Sequence, residues 1–378
     1  MTAVLILGVL MPACQPPGLG SNSTVSTSNG DVSFRVETVA SGLEVPWGFA
    51  WLPNGDLLFT ERKGRVRLIE RGSLRIEPVY TVPDVEPSSE SGLMDISLHP
   101  DFAANSYVYL GYAYNSDGKR VKVVRYKYAN ANLTEPTVII DNIPGAPNHA
   151  GMRARFGPDG KLYVATGDST DWDLAQNLDS LAGKTLRLND DGTVPEDNPF
   201  VNTAGARPEV WSHGHRNPQG MAWQPGSGLM FQTEHGPSSF EGKGSGGDEV
   251  NIVEAGKNYG WAEIHHTQSR EGMVSPLLEY SPACAPASAM FYDGSQFPSF
   301  KGNFFFGCLA GKRMIRVVLD GRNVVRQEDI LQGVYGRIRE MAEGPDGYIY
   351  FSTSNRDGRG SPANEDDRIM RLVPVKAN

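Results

Sequence analysis

Four segments of this chain concentrate side chains that could do chemistry. The first is Asn148-His149-Ala150-Gly151. Its imidazole is the side chain best suited to take a proton near neutral pH; a hydrogen-bonded structural histidine is the alternative. The second runs Ser212-His213-Gly214-His215-Arg216-Asn217-Pro218-Gln219-Gly220. His213 and His215 would share one face of a strand, but no third nitrogen or sulfur ligand accompanies them and Arg216 would repel a cation. Arg216 instead offers a fixed positive fork for an oxyanion, and Asn217 a neutral donor and acceptor. The third comprises Glu234-His235-Gly236-Pro237, then Gly246-Gly247-Asp248-Glu249-Val250-Asn251 and Asn258-Tyr259-Gly260-Trp261. Carboxylates beside loop carbonyls suit a hard cation, calcium before magnesium because irregular geometry is tolerated. The same residues also read as a solvated acidic loop. In the fourth, Arg337-Ile338-Arg339, both guanidinium groups leave one strand face together, with Lys312-Arg313 adding positive charge. Such a pair suits a ligand with several carboxylates or phosphates, or an ordinary surface salt-bridge face. Together the four describe a base, an oxyanion stabiliser, a cation site and an anion clamp.

The elements that must position them are strands. One phrase, a Pro/Asn/Asp/Gly turn followed by a short apolar-aromatic run, recurs as LPNGDLLFTE at 52, LHPDFAANSYVYLGY at 98 and FGPDGKLYVATGD at 156. It returns as WQPGSGLMFQTEHG at 223, FKGNFFFGCLAG at 300 and EGPDGYIYFSTSN at 343. A second strand follows most copies, as in GRVRLIE at 64, KTLRLND at 184 and RMIRVVLDG at 313. Turn, then a run of near-period-two alternation, is the signature of strands, and no helical periodicity of ten or more residues interrupts it. Six units spaced roughly 45–75 residues apart predict an all-β fold, a six-bladed β-propeller of four-stranded antiparallel blades. A β-sandwich with a second all-β domain would also be turn-punctuated, but would not repeat one turn before one strand six times. In a propeller the long segments near 141–155, 205–220, 234–262 and 333–340 gather at the channel mouth, where a site would be built.

Composition sets the outer limits. The 378 residues include 43 Gly and 26 Pro, in keeping with a turn-rich chain, and 39% hydrophobic residues are ample for a packed core. A net charge of −9 is a poor footprint for nucleic-acid binding. Residues 1–13 are apolar and end in small residues before Cys14. They read as an export signal, with Cys14 a candidate for a lipid anchor and a periplasmic or cell-envelope destination. A flexible Ser/Asn/Gly/Pro-rich linker is expected over 15–34, and a single propeller domain over 35–378. The three cysteines, at 14, 284 and 308, form no zinc framework. Cys284 and Cys308 either pair in an oxidising compartment or stand as two buried thiols.

Taken in order, the phrases around His149, His215–Gly220, Glu234–Pro237, Gly247–Asn251 and Asn258–Trp261 resemble the soluble aldose sugar dehydrogenases dependent on pyrroloquinoline quinone (PQQ), the soluble glucose dehydrogenase family. The resemblance runs from about Val36 to Leu372, and the combination is specific where one phrase alone is not. It implies a six-bladed propeller, in agreement with the repeat count. It also implies PQQ and Ca²⁺ as cofactors, a small-molecule aldose as substrate, an external electron acceptor, and a monomer or homodimer. His149 matches the base that removes the anomeric hydroxyl proton. Arg216 and Asn217 match residues beside the quinone carbonyl, and Arg337 and Arg339 the clamp on the cofactor's carboxylates. The backbone carbonyls of Gly236 and Pro237 match calcium ligands. Glu249 and the backbone of Tyr259, with Asp248 beside them, resemble a calcium site in the same loop. Glu90 falls where the family places a Gln or Glu near the substrate.

Two departures stand out. Ala310 occupies the position of a cofactor-contacting lysine, whose place either Lys312, reaching from two residues away, or backbone groups of Ala310 to Lys312 would take. Asn148, beside the base, replaces an aspartate. Two further classes remain in view: a calcium-dependent propeller lactonase, and a non-catalytic propeller that binds a protein or glycan.

Overall fold

The computed structural model of the protein describes residues 24–375 apart from residue 29, so residues 1–13, expected as an export signal, and Cys14 lie outside the described residues. Six antiparallel sheets follow one another around a ring. The first blade is built from Pro46–Trp51, Leu57–Glu61 and Arg65–Glu70, with the short strands Ser73–Leu74 and Tyr80–Thr81 on its outer edge. Leu93–Leu98, Tyr107–Asn115, Lys119–Ala129 and Asn132–Pro144 form the second. Gly151–Phe156, Leu162–Thr166, Lys184–Leu188 and Val210–His213 form the third, and Pro218–Trp223, Met230–Glu234, Asp248–Val253 and Leu278–Tyr280 the fourth. Pro286–Phe291, Phe304–Cys308, Arg313–Asp320 and Asn323–Ile330 make the fifth. The sixth takes Ile338–Glu343, Ile349–Thr353 and Ile369–Pro374 from the end of the chain and Ser33–Ala40 from its beginning. Val36 sits opposite Leu372, so backbone hydrogen bonds between the two ends close the ring.

Each copy of the repeated phrase falls on the second strand of a blade. The alternation expected of those strands is weak, and packing explains why. The buried apolar residues separate into six clusters, one between each pair of neighbouring blades; Phe49 and Leu57 of the first blade, for instance, meet Tyr350 and Ile369 of the sixth. A blade is therefore covered on both faces, and Leu57–Glu61, Leu162–Thr166 and Ile349–Thr353 are buried at every position. Strands buried on both faces read as continuous apolar runs. The boundary expected at residue 35 also shifts: Val25 and Ser26 pair with Phe34 and Ser33, and Phe34 is fully buried in the core.

The inner strands carry a charged network across the channel. Arg153 donates to Asp95 (3.1 Å), Glu340 (2.9 Å) and the Gln219 carbonyl (2.9 Å). Arg155 donates to Asp95 at 2.6 Å and Ser288 to Glu340 at 2.9 Å. Burying such charges is tolerable only because each is paired and hydrogen-bonded. The network separates the cavity lined by Gln219 from a second one lined by Arg155, Glu340, Trp223 and Phe291.

Candidate active site

A cavity of about 320 Å³ opens where the loops of all six blades converge, within the size range of small-molecule sites. His149 enters it from the turn before the third blade, in left-handed backbone conformation (φ 53°) and 5% exposed. The turn packs against the end of the next strand so closely that a Cβ on Gly167 would fall 1.9 Å from the His149 carbonyl oxygen. Only glycine permits that approach.

The His149 Nδ1 lies 2.8 Å from Oδ1 of Asp168, whose carboxylate also accepts hydrogen bonds from the Thr170 amide (2.8 Å) and the Trp261 indole (2.8 Å). A carboxylate only accepts, so Nδ1 carries the hydrogen and Nε2 keeps its lone pair for the cavity. Asp168 escaped the sequence reading, although it closes the repeated phrase as Gly167-Asp168. The backbone N–H of His149 donates to Glu90 Oε2 (3.1 Å), and Arg359 pairs with Oε1 of the same carboxylate. Burial alone would raise the Glu90 carboxyl, but His235, Arg359 and His149 hold it down at about 2. Asn148 sits at the rim, accepting from Ser89 (2.7 Å) and Arg359 (3.1 Å).

Arg216 is fixed on nearly every donor. Nη2 and Nε bind Glu241 at 2.7 and 3.2 Å, Nη1 donates to the His235 carbonyl at 3.2 Å, and the guanidinium lies over the Trp261 ring at 5.3 Å. With Nη2 also reaching Ser238 (3.3 Å), one N–H on Nη1 is left over. Asn217 does not line the cavity. It is fully buried behind the wall, where its side-chain oxygen accepts from Gly151 and Gln219 and its amide reaches Glu90 at 3.4 Å. His213 and His215 do not converge either. His215 bridges Ser212 Oγ (2.8 Å) and Glu234 (2.9 Å) and stacks on Tyr259. This serine–histidine–glutamate row is almost wholly shielded from solvent, so it supports the Arg216 backbone, which donates to Glu234, rather than acting on a ligand.

Gly236, Pro237 and Asp248 line the cavity. Asp248 anchors the wall, accepting from the Gly236 amide (2.8 Å) and from those of Cys284 (2.7 Å) and Ala285 (2.6 Å). Of the residues expected beside Asp248, Glu249 and Tyr259 do not line the cavity. Alternation along Asp248–Val253 sends Glu249 away from the cavity, where it meets Asn251 (2.9 Å), and burial followed by the nearby Glu234 pushes its carboxyl well above the ordinary range. The Tyr259 hydroxyl donates to Ile252 at 2.6 Å. Among the described residues no three His, Cys, Asp or Glu side chains group as metal ligands.

Arg337 and Arg339 both reach the cavity from the sixth blade, and they share one carboxylate. Asp357 Oδ2 is 2.8 Å from Arg337 Nε and 3.6 Å from Arg339 Nη2. Arg339 lies 3.6 Å over the Trp47 ring. Burial, reinforced by the like charges of Arg337 and Arg62, pushes its guanidinium down to about 9 despite Asp357. Positive charge is thus under-compensated here. Ala310 lines the cavity, but Lys312 is exposed and does not. Two arginines that the sequence reading passed over, Arg62 and Arg359, do line it.

Residues 43–370 match the glucose/sorbosone dehydrogenase family. The chain is 36% identical over 355 residues to the aldose sugar dehydrogenase YliI of Escherichia coli strain K12, covering 88% of this chain and 94% of that one. It is 30% identical over 263 residues to quinoprotein glucose dehydrogenase B of Acinetobacter calcoaceticus, covering 61% of this chain and 53% of that one. Among solved structures, the PQQ-bound form of the aldose sugar dehydrogenase of Streptomyces coelicolor superposes with a TM-score of 0.80 at 34% identity, over 90% of this chain and 98% of that one.

Proposed function

Given that the chain belongs to the glucose/sorbosone dehydrogenase family, we propose that it is a quinoprotein that oxidises the anomeric C1 hydroxyl of aldoses to lactones, in the periplasm or cell envelope, passing electrons to an external acceptor. The observation that carries this reading is the opening of the Asp168-held His149 onto the same cavity as the under-compensated Arg337–Arg339 pair. Two buried guanidinium groups sharing one carboxylate fit a polyanion, and PQQ is a planar tricarboxylate. The Gly236 and Pro237 carbonyl oxygens accept no hydrogen bond from the described residues, so they suit a hard cation such as Ca²⁺.

When bound, PQQ supplies a quinone carbonyl carbon as hydride acceptor and Ca²⁺ polarises that carbonyl. His149 takes the C1 hydroxyl proton on Nε2, and Asp168 stabilises the resulting imidazolium and fixes the ring. Arg216, immobilised by Glu241, offers its remaining N–H where negative charge develops, and preorganisation of this kind costs nothing at the moment of reaction. Glu90 and Asn148 meet the sugar's hydroxyls at the rim. Arg337 and Arg339, with Arg62 beside them, hold the cofactor's carboxylates. A lactonase would gather carboxylate and Asn ligands from several blades on one cation; here Asp248 spends its oxygens on backbone amides instead.

Product analysis tests the assignment. Protein loaded with PQQ and Ca²⁺ is incubated with a panel of aldoses and an artificial dye, and the early product is trapped with hydroxylamine. The lactone hydroxamate, formed in step with dye reduction, is expected. Dye reduction without lactone, or lactone consumption instead, contradicts it.

A further inference from the structure

Cys284 and Cys308 stand on neighbouring strand ends of the fifth blade. Pro286 pairs with Cys308, and the ladder continues as Leu309 N–H to the Ala285 carbonyl (2.9 Å) and Gly311 N–H to the Cys284 carbonyl (2.8 Å). Both side chains are buried in the cluster between the fourth and fifth blades, 1% and 0% exposed. A Cβ built on Gly311 would lie 3.1 Å from the Cys284 Cβ and 3.2 Å from the Cys308 Cβ, so the two side chains start from one small region of space. The structure holds the two as free thiols whose side chains touch one another, the arrangement from which a cystine, with Cβ atoms ~4 Å apart, can close.

We propose that Cys284 and Cys308 form a structural disulfide that staples the wall of the cavity. The four residues flanking the pair, Ala283 and Ala285 on one strand end and Leu309 and Ala310 just after the other, all belong to that wall. The crosslink therefore joins the two chain segments that carry these wall residues. In forming it, two S–H bonds break and one S–S bond is made. The two electrons and two protons pass to a small-molecule disulfide such as glutathione disulfide, which leaves as two thiols. Thiolate is the attacking species. In the folded chain the contact with Cys308 and burial push the Cys284 thiol up, so the exchange takes place while the fifth blade is still open, in an oxidising compartment. The inference stands independently of the dehydrogenase reading.

Peptide mapping decides it. The full chain is produced in an oxidising compartment, denatured, alkylated without reductant and digested. A peptide joining Cys284 to Cys308 and lacking both thiol hydrogens is expected, and in Cys284→Ser the remaining Cys308 should appear alkylated. Alkyl label on both residues of the parent chain, separate glutathione adducts, or a link from either residue to Cys14 overturns the proposal.

Discussion

Asp357 serves two guanidinium groups with one oxygen, lying 2.8 Å from Arg337 Nε and 3.6 Å from Arg339 Nη2. Both arginines are at least nine-tenths buried, so their charge is poorly screened. An anion entering the cavity relieves that excess. Arg337→Ala and Arg339→Ala should each weaken PQQ binding roughly 10–100-fold, the range for a charge-assisted hydrogen bond. Lys312→Ala should leave it within about twofold, because Lys312 faces away. Fluorescence or calorimetric titration of the quinone, independent of turnover, checks all three, and a large loss in Lys312→Ala would restore the lysine role.

His149→Ala should abolish turnover while leaving quinone affinity nearly intact, since the proposed base would meet the substrate rather than the clamp. Asp168→Asn keeps the shape but can present an N–H to Nδ1, favouring the tautomer with its hydrogen on Nε2. A loss of kcat of about 10²–10⁴ is expected, with little change in KM. Steady-state kinetics on both variants separates these effects; full activity in either removes that residue from proton transfer.

Arg359 straps the rim, joining the sixth-blade loop to Glu90 and Asn148. Removing it leaves the Glu90 carboxylate short of a partner and frees both rim residues to move. Arg359→Ala should raise KM for the sugar by about 3–10-fold with kcat within about twofold, the pattern of lost uniform binding. A fall in kcat with KM unchanged would place Arg359 in the chemistry instead.

Lys184 holds the loop that carries Asp168. Its fully buried ammonium donates to the carbonyls of Leu174 (2.7 Å), Ala175 (3.0 Å) and Ala182 (2.7 Å). Burial pushes it down to about 7. Unfolded, it returns to about 10.4, so above pH 7 the unfolded chain binds the extra proton and stability rises with pH. The slope is at most ~1.4 kcal/mol per pH unit until the unfolded value is reached. Below pH 7 both states are protonated and the penalty is constant. The thermal midpoint should therefore climb between pH 7 and 9 in the parent chain and flatten in Lys184→Met. A flat parent profile contradicts this.

Much of the architecture was legible because the repeated turn marks the second strand of every blade, a local signal. What alternation could not deliver was the facing of those strands, since blades sandwiched between neighbours bury both sides, as Leu57–Glu61 shows. In the site, residues of motifs aimed by their own strand were readable: His149, Arg216, Gly236, Pro237, Asp248, Arg337 and Arg339 all line one cavity. Asn217 and Glu249 follow cavity residues directly and point elsewhere, a parity that depends on where each strand begins. Asp168, Glu241, Arg62 and Arg359 were missed because their partners lie on other strands or other blades, at sequence separations up to the 295 residues between Arg62 and Asp357.

Quinone and Ca²⁺ binding in this cavity, with oxidation of the sugar there, is the proposal on which the residue roles above depend. The most direct measurement titrates PQQ into the purified apo-protein, with and without Ca²⁺, following quinone binding and glucose-dependent dye reduction together. Saturable binding through the Arg337–Arg339 clamp, with dye reduction that needs both additions, is the predicted result. A folded protein that binds no quinone at any Ca²⁺ concentration would contradict the account.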